Sequence, residues 1–172
     1  MLFDQFLAGV HKTTPRPGGK FVGRLLALDP GETTGWSIWD SHDGGTHYEL
    51  FASGQLDTWD KANHSIVNCV QNFPKLLEYT PDYGIMESYR VYSWVAESHA
   101  WSDVPTLRII GCMETFLILR HVPYHMQTAQ AAKNFVTDDK LKEWGFWKKG
   151  ERHARDSYRH ALFFLLFGKQ GK

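Results

Sequence analysis

Two short apolar runs, each ending in an acid, limit what this chain can fold into. The first is RLLALD, residues 24–29, and the second is YGIMES, residues 83–88, in which Glu87 follows the apolar part. Runs of this length and character predict strands that are buried on both faces, as in the centre of an α/β sheet. A carboxylate at the end of such a strand is costly unless it meets water, a hydrogen-bond donor or a cation. Asp29 and Glu87 are therefore candidates for a functional site.

The other patterns place these two runs in a longer series of elements. WSIWD and HYELFASGQL alternate as strands do, and turn sequences separate them from each other and from the first run, which predicts an antiparallel meander. PYHMQT is a fifth strand, and segments with helical spacing separate the later strands. The order β-β-β-α-β-α-β-α predicts an α/β fold. Its five-stranded mixed sheet has three antiparallel strands followed by parallel strands, and helices flank it.

The helices are predicted from spacing and capping residues. One begins at Asp57 or Thr58, and Pro74 ends or kinks it. The clearest helix starts at residue 105, and a short helix, a basic aromatic loop and a final helix from about Arg152 follow the fifth strand. The apolar stripe of the clearest helix consists of Leu107, Ile110, Met113, Phe116 and Leu117.

Length and composition favour one folded domain. A chain of 172 residues can build one substantial core. We expect residues 1–23, with the stretch KTTPRPGGK, to be a flexible or partly helical N-terminal extension, and residues 24–172 to be the domain. No apolar run reaches the roughly 20 residues that span a bilayer. The start lacks the basic leader of a signal peptide, and the two cysteines have no metal-binding spacing. We therefore expect a cytoplasmic protein.

Charge is distributed unevenly although the formal net charge is zero. Residues 133–172 hold ten Lys and Arg against five acids, whereas residues 25–132 hold five against thirteen. The basic section suits contact with a polyanion, and the acidic section suits a cation. Two solvated surfaces with a chance imbalance are the alternative interpretation.

A third acid lies in the stretch HARDSYRH near the end of the chain. On a helix, His153, Asp156 and His160 share a face, because residues three and four apart are neighbours. If Asp29 and Glu87 end adjacent strands, Asp156 can complete a set of three carboxylates. Such a set without cysteine suits Mg²⁺ or Mn²⁺, and a pair of these ions can activate a water and stabilise a leaving oxygen. Alternatively, the first acid merely begins the turn DPGETTG and the second is a surface acid.

Three segments occur in a fixed order along the chain: LLALDPGETTGW, IMESYRVY and HARDSYRHAL. Together they resemble the RuvC-like Holliday-junction resolvases of the RNase H-like, or retroviral integrase, superfamily. The resemblance covers roughly residues 24–167, and the loops look more like those of bacteriophage resolvases than those of the cellular enzyme. It implies an RNase H-like fold and a crossover junction endodeoxyribonuclease that cuts branched DNA in recombination and repair.

The resemblance also implies site residues and cofactors. By position, Asp29, Glu87 and Asp156 would be metal ligands and catalytic acids. His153, one turn before Asp156, would ligate metal or act as an acid or base at the same site. The family uses two Mg²⁺ or Mn²⁺ ions per site and leaves a 5′-phosphate and a 3′-hydroxyl. His160, one more turn along, would be either a supporting partner of a site residue or simply packed, and packing is the favoured interpretation.

Side chains for DNA contact are predicted beside the acids and in the basic section. Bacterial resolvases follow their glutamate with an aromatic wedge; here two tyrosines follow it, and which of them matches is open. Lys133 suits a phosphate contact or a solvated surface position equally well. The aromatic side chains in LKEWGFWKKGE suit either unpaired bases or a small core beneath the loop. The predicted DNA-binding residues are Tyr89, Arg90, Tyr92, Lys133, Lys148, Lys149, Arg152 and Arg155.

Oligomeric state and substrate leave alternatives. Gly111 and Cys112 permit close contact of the helix from residue 105, which makes this helix a candidate interface of a homodimer or an ordinary core helix. A four-way junction is roughly two-fold symmetric, so a dimer would present two sites to two strands. A related metal nuclease would instead act on flaps, forks or packaged phage DNA. A DNA-binding protein without catalysis is the non-enzyme alternative, and the complete set of acids argues against it.

Overall fold

A computed structural model describes residues 2–13, 19–89 and 104–168 of the chain. Among these residues, no helix combines the length and apolar character that crossing a membrane requires. The elements in chain order are α1 (Phe3–Thr13), β1 (Arg24–Asp29), β2 (Thr33–His42), β3 (His47–Asp57), α2 (Val67–Leu77), β4 (Tyr83–Ser88), α3 (Pro105–Leu119), β5 (Tyr124–Thr128), α4 (Ala129–Phe135), α5 (Asp138–Glu143) and α6 (Arg152–Phe167).

The five strands form one mixed sheet in the order β3-β2-β1-β4-β5. β1 pairs antiparallel with β2, and β2 with β3, whereas β1 pairs parallel with β4, and β4 with β5. This arrangement confirms the predicted α/β fold, with three antiparallel strands followed by parallel strands. The two apolar runs are β1 and β4, and they lie side by side in the middle of the sheet, where both faces of a strand are covered.

Helices cover both faces of the sheet, and the side chains of β1 alternate between the two resulting cores. Leu25 and Ala27 pack in the core that contains α6 together with parts of α1, α4 and α5. Leu26 and Leu28 pack in the opposite core, against α2 and α3. The strand is therefore apolar at every position from Leu25 to Leu28, because neither face meets water.

The first turn of α6 lies directly on β2. At Gly35, an added Cβ would collide with the backbone carbonyl of His153 and would lie 2.8 Å from the amide nitrogen of Ala154. Glycine is required here because only a residue without Cβ lets two backbones approach so closely. Gly35 pairs with Asp29 in the sheet. The contact therefore holds the start of α6 over the end of β1.

The N-terminal helix α1 packs against the domain. Phe3 and Leu7 are buried in the same core as α6, and the ring of Phe3 lies 5.2 Å from the ring of Trp144 in an edge-to-face arrangement. Nε2 of His11 lies 3.3 and 3.2 Å from the carbonyl oxygens of Leu165 and Leu166 near the end of α6. The division of the chain at residue 23 stays a prediction.

Of two predictions about the helices that cover β1, one is wrong and the other is wrong at a single position. The helix expected from Asp57 or Thr58 begins instead at Val67. The polar side chains near the expected start of the helix stabilise turns instead. The Thr58 hydroxyl donates to the Gly31 carbonyl oxygen at 2.5 Å. The Asp60 carboxylate accepts hydrogen bonds from the backbone of the following turn. The expected stripe of the helix from residue 105 is confirmed for Ile110, Met113 and Leu117, which are buried, and for Phe116, which packs against the same core, but Leu107 is 44 % exposed. The buried residues of that helix are Ile109, Ile110, Met113 and Leu117.

An end of the helix at Pro74 is wrong, whereas a kink there stays a prediction, and the basic loop also differs from expectation. Pro74 lies inside α2, which continues to Leu77 and does not end at the proline. The predicted loop between α4 and α6 contains the short helix α5, and Thr137 caps it by accepting a hydrogen bond from the Lys140 amide at 3.4 Å. A polar residue at this position satisfies an N–H group that the helix itself leaves without a partner.

Candidate active site

Three acids meet at the carboxyl edge of the central strands. Asp29 ends β1, Glu87 lies near the end of the neighbouring parallel strand β4, and Asp156 projects from the second turn of α6. The register that pairs Leu28 with Met86 makes the two strand acids neighbours. Their side chains are only 10 %, 20 % and 15 % exposed, respectively. The sequence pattern indicated these three residues, and the fold places them in one small volume.

The ammonium group of Lys133 lies among the three acids. Its Nζ is 3.0 Å from Glu87 Oε2, 3.5 Å from Asp156 Oδ2 and 3.6 Å from Asp29 Oδ1. Lys133 reaches this position from α4, the short helix directly after β5. Burial alone would lower the pKa of this lysine, but the three carboxylates raise it. Lys133 is therefore a charged member of the acidic cluster.

The pKa values of the two strand acids, Asp29 and Glu87, are shifted in opposite directions. Burial, followed by the effect of Glu87, raises the pKa of Asp29 to about 8. Burial would also raise the pKa of Glu87, but hydrogen bonds from His160 and Asp29, together with Lys133, lower it to about 2. At neutral pH, Glu87 therefore carries charge and Asp29 retains a proton. When two carboxyl groups lie this close, repulsion favours the state in which only one of them is ionised, unless a cation compensates the second negative charge.

His160 contacts the site, although the sequence favoured simple packing. The residue is fully buried, as expected, but its Nε2 lies 2.8 Å from Glu87 Oε2 and its Nδ1 lies 2.7 Å from Gln127 Oε1. Ligand atoms of Asp29, Glu87 and His160 all lie within 4.8 Å of one another. Gln127, on β5, was not singled out in the sequence. The sequence feature that could have indicated Gln127 is a polar residue within β5, the strand that pairs with the strand of Glu87.

His153 and Arg159 border the cluster on the helix side. Nδ1 of His153 lies 3.5 Å from Asp29 Oδ2, and the imidazole is 42 % exposed. The backbone amide of His153 donates to Gln55 Oε1 at 3.1 Å, which fixes the first turn of α6 to β3. Arg159 donates from Nη1 to Asp156 Oδ1 at 2.6 Å and also pairs with Asp138. His153 therefore faces both the acids and the solvent.

The predicted DNA-binding side chains differ in exposure. Lys148, Lys149 and Arg152 are exposed just before and at the start of α6. Arg155 is half-buried, donates to the Lys148 carbonyl oxygen and lies over the ring of Trp147 at 5.1 Å. The predicted residues Tyr89, Arg90 and Tyr92 follow β4; Tyr89 is 39 % exposed, and the other two lie outside the described residues.

The aromatic side chains of the basic loop form part of the core. Trp144 is buried, and Phe146 and Trp147 pack against the same apolar cluster. The ring of Phe146 lies 4.9 Å from that of Trp39 in an edge-to-face contact. Of the two interpretations that the sequence left open, the structure favours a core beneath the loop. The cations of this loop, rather than its tryptophans, face outward.

The cluster has the chemistry of a hard-cation site. Mg²⁺ and Mn²⁺ prefer oxygen ligands, and Asp29, Glu87 and Asp156 supply carboxylate oxygens from three different elements. The raised pKa of Asp29 shows that the cluster does not hold all its negative charge by itself, and a divalent cation would relieve this conflict. The residues present therefore fit divalent-metal binding.

Comparisons with known proteins identify the fold. No protein-family model matches the chain, and no curated protein sequence matches it significantly. The structure of Thermus thermophilus RuvC in complex with a Holliday junction substrate matches with a TM-score of 0.64 at 13% identity, over 83% of this chain and 93% of that one. The yeast mitochondrial Holliday junction resolvase Ydc2 gives 0.56 at 14% identity, over 94% and 84% of the two chains.

A viral structure matches in the same way. The fowlpox virus Holliday junction resolvase gives a TM-score of 0.54 at 16% identity, over 83% of this chain and 96% of that chain. At identities this low the likeness concerns the fold. The order and directions of the five strands agree with it. The chain therefore has the RNase H-like fold of RuvC and related Holliday junction resolvases, with its acidic cluster at the carboxyl edge of the central strands.

Proposed function

We propose that this protein is a structure-selective endodeoxyribonuclease that resolves Holliday junctions by metal-dependent hydrolysis of phosphodiester bonds. The products would carry a 5′-phosphate and a 3′-hydroxyl. The observation that carries the proposal is the meeting of Asp29, Glu87 and Asp156 around one small volume. The fold supports it, because the similar structures are those of junction resolvases.

The acids would hold the cofactor. Asp29, Glu87, Asp156 and His153 would hold two Mg²⁺ or Mn²⁺ ions. When bound, the two ions would activate a water and stabilise the leaving oxygen of an in-line displacement. The exposed side of His153 faces the solvent next to Asp29. It is therefore placed to orient a water or to move a proton at the same edge.

The cations around the acids would bind the DNA backbone. Lys148, Lys149 and Arg152 are exposed within five consecutive residues just before and at the start of α6, which suits a run of phosphates. Lys133 already reaches all three acids, so its ammonium is within reach of a phosphate held there. Tyr89 and Tyr92, with Arg90 between them, would contact the junction centre. Each phosphate contact would make binding more sensitive to salt.

A panel of synthetic DNAs tests the proposal. We expect wild-type protein with Mg²⁺ or Mn²⁺ to cut four-way junctions faster than flaps, forks or linear duplexes, and to be inactive in EDTA. Asp156→Asn should fail to cut any of them, because one ligand of the site is lost. Preferential cutting of flaps or forks would instead identify a related metal nuclease. Junction binding that EDTA leaves unchanged, with no detectable metal binding, would identify a DNA-binding protein without catalysis.

We also propose that two copies associate through the outer face of α3. Leu107, Ile118 and Leu119 are 44 %, 60 % and 66 % exposed on this helix. Gly111 lies between them along the chain and has open space at its Cβ position, which permits close approach of a second helix. A two-fold dimer would present two active sites to the two-fold junction.

Introducing a charge on this face tests the dimer. Ile118→Glu should convert a dimer into a monomer in analytical ultracentrifugation, because two glutamates would face each other across the symmetry axis. Val22→Glu is the matched control, since Val22 is 64 % exposed and lies outside α3. It should leave the dimer intact. A monomeric wild-type protein, or a dimer that survives Ile118→Glu, would contradict this interface.

The finer points of the resemblance stay predictions. The bacteriophage type rests on the resemblance of the loops, and a cytoplasmic location, in a bacterial or phage-infected cell, rests on the sequence alone. Neither affects the chemistry proposed for the acids. The experiments above address that chemistry directly.

A further inference from the structure

A buried pair of side chains lies beneath the acidic cluster, on the side away from solvent. His160 is fully buried and projects from α6, one turn after Asp156. Gln127, 6 % exposed, projects from β5. Together they join three elements of the site, because His160 also reaches Glu87 on β4. Buried polar groups of this kind are costly unless each is hydrogen-bonded, and these are.

The geometry defines what each ring nitrogen of His160 does. Nε2 of His160 lies 2.8 Å from Glu87 Oε2, where an imidazole N–H can donate to a carboxylate oxygen. Nδ1 lies 2.7 Å from the side-chain amide of Gln127, and this bond fixes the plane of the ring.

His160 therefore contacts the site through Glu87. Both of its ring nitrogens already have protein partners, and its ring is closed off from solvent. His153, by contrast, is 42 % exposed and has one nitrogen near Asp29. The two histidines of HARDSYRH thus have separate tasks: one lies at the open edge of the site and the other below it.

We infer that His160, oriented by Gln127, is a positioning residue that holds the Glu87 carboxylate in the geometry required for metal binding. The inference rests on the proposed metal-dependent function, and it identifies the residues that hold one of the proposed metal ligands, Glu87, in place. A ligand held by a fixed donor needs no reorientation when the cation arrives, and loss of such supporting bonds weakens metal sites. The role belongs to the imidazole Nε2–H group rather than to the volume of the ring.

Two amide substitutions separate the donor from the volume. The amide nitrogen of a glutamine reaches the place of Nε2 in a histidine, whereas that of an asparagine reaches only the place of Nδ1. We expect His160→Asn to weaken Mn²⁺ binding by about 10–100-fold, measured by electron paramagnetic resonance without DNA. His160→Gln should bind within a few-fold of wild type. The KM for junction DNA should stay unchanged in both, since the residue lies away from the DNA side.

A third variant covers the case in which His160→Asn does not fold. Gln127→Met keeps the volume of the glutamine and removes only the partner of Nδ1, so it should weaken Mn²⁺ binding in the same direction. Melting curves in EDTA show whether each variant is folded. Wild-type affinity in folded His160→Asn and Gln127→Met would overturn the inference, and so would equal losses in the asparagine and glutamine variants.

The same measurements distinguish this inference from the proposed function. If wild type binds Mn²⁺ and cuts junctions while His160→Asn and Gln127→Met bind Mn²⁺ like wild type, only the inference is wrong. If wild type neither binds Mn²⁺ nor cuts DNA, the proposed function is wrong and the inference fails with it. Retained binding in the glutamine variant, with loss in the other two, would support both.

Discussion

Replacing Asp29 by asparagine should reduce metal-dependent junction cleavage by at least about 10³-fold while leaving junction binding intact. Bound divalent ions would supply several kcal/mol of charge stabilisation, and each 1.4 kcal/mol or so is tenfold in rate. The substitution removes one of the carboxylates proposed to hold them. Binding should persist, because the proposed phosphate contacts are made by cations rather than by Asp29. Gel-shift and single-turnover cleavage assays measure the two effects separately.

The control for this substitution is Asp139→Asn. Asp139 lies on α5, its side chain is 93 % exposed, and its Oδ1 lies 3.3 Å from the Lys142 ammonium nitrogen. The same chemical change there should leave cleavage at the wild-type rate. A correctly folded Asp29→Asn protein that cuts junctions as fast as wild type would refute the mechanism.

The same variant should alter the pH dependence of stability. The pKa of Asp29 rises from an ordinary 3.8 to about 8 on folding. Between these values the unfolded chain releases a proton that the folded protein keeps, so the free energy of unfolding falls as pH rises. An asparagine side chain at this position has no such proton to release. Measured in EDTA, Asp29→Asn should therefore gain stability relative to wild type between about pH 4 and pH 8.

Gly35→Ala should disable the site without touching an acid. The new Cβ would collide with the backbone of His153 and Ala154, and a backbone cannot rotate away as a side chain can. The first turn of α6 would have to move off β2, which would carry Asp156 away from Asp29. We expect a loss of about 1–3 kcal/mol of stability from overpacking. A displacement of about 1 Å at the site can reduce the rate by about 10²-fold.

Thermal unfolding and junction cleavage measure the two consequences of this substitution. Gly9→Ala, in α1, is the matched control, because its Cβ would have nothing within 4 Å. It should keep activity and preserve or slightly raise stability, since alanine favours helix more than glycine does. Wild-type stability and activity in Gly35→Ala would show that α6 does not rest on β2 as described.

The sequence predicted the parts of the fold that depend on local pattern. The run RLLALD corresponds to β1, and the predicted final helix agrees with α6, because burial on both faces and helical periodicity are visible in consecutive residues. The helix expected at Asp57 was wrong for a local reason as well. Side chains that cap helices also stabilise turns, and the sequence alone does not show which of these they do.

The sequence pattern did not predict which residues hydrogen-bond to the buried polar side chains. His160 has the same spacing from Asp156 whether it packs or bonds to Glu87. Its two partners, Glu87 and Gln127, lie 73 and 33 positions away along the chain. Lys133 was ambiguous for the same reason. Its three carboxylate neighbours come from β1, β4 and α6, so only the assembled sheet distinguishes a buried ion cluster from a solvated lysine.

The position of Lys133 has a consequence for how the protein is made. The acids belong to the first strand, a central strand and the last helix, so they come together only when folding is nearly complete. The ammonium arrives with α4, before α6 along the chain, and it lies within 3.6 Å of all three carboxylates. The chain therefore supplies its own counter-ion, the Lys133 ammonium, at the place where the three carboxylates repel one another. The positive charge of Lys133 offsets part of the repulsion among the three carboxylates without any bound metal.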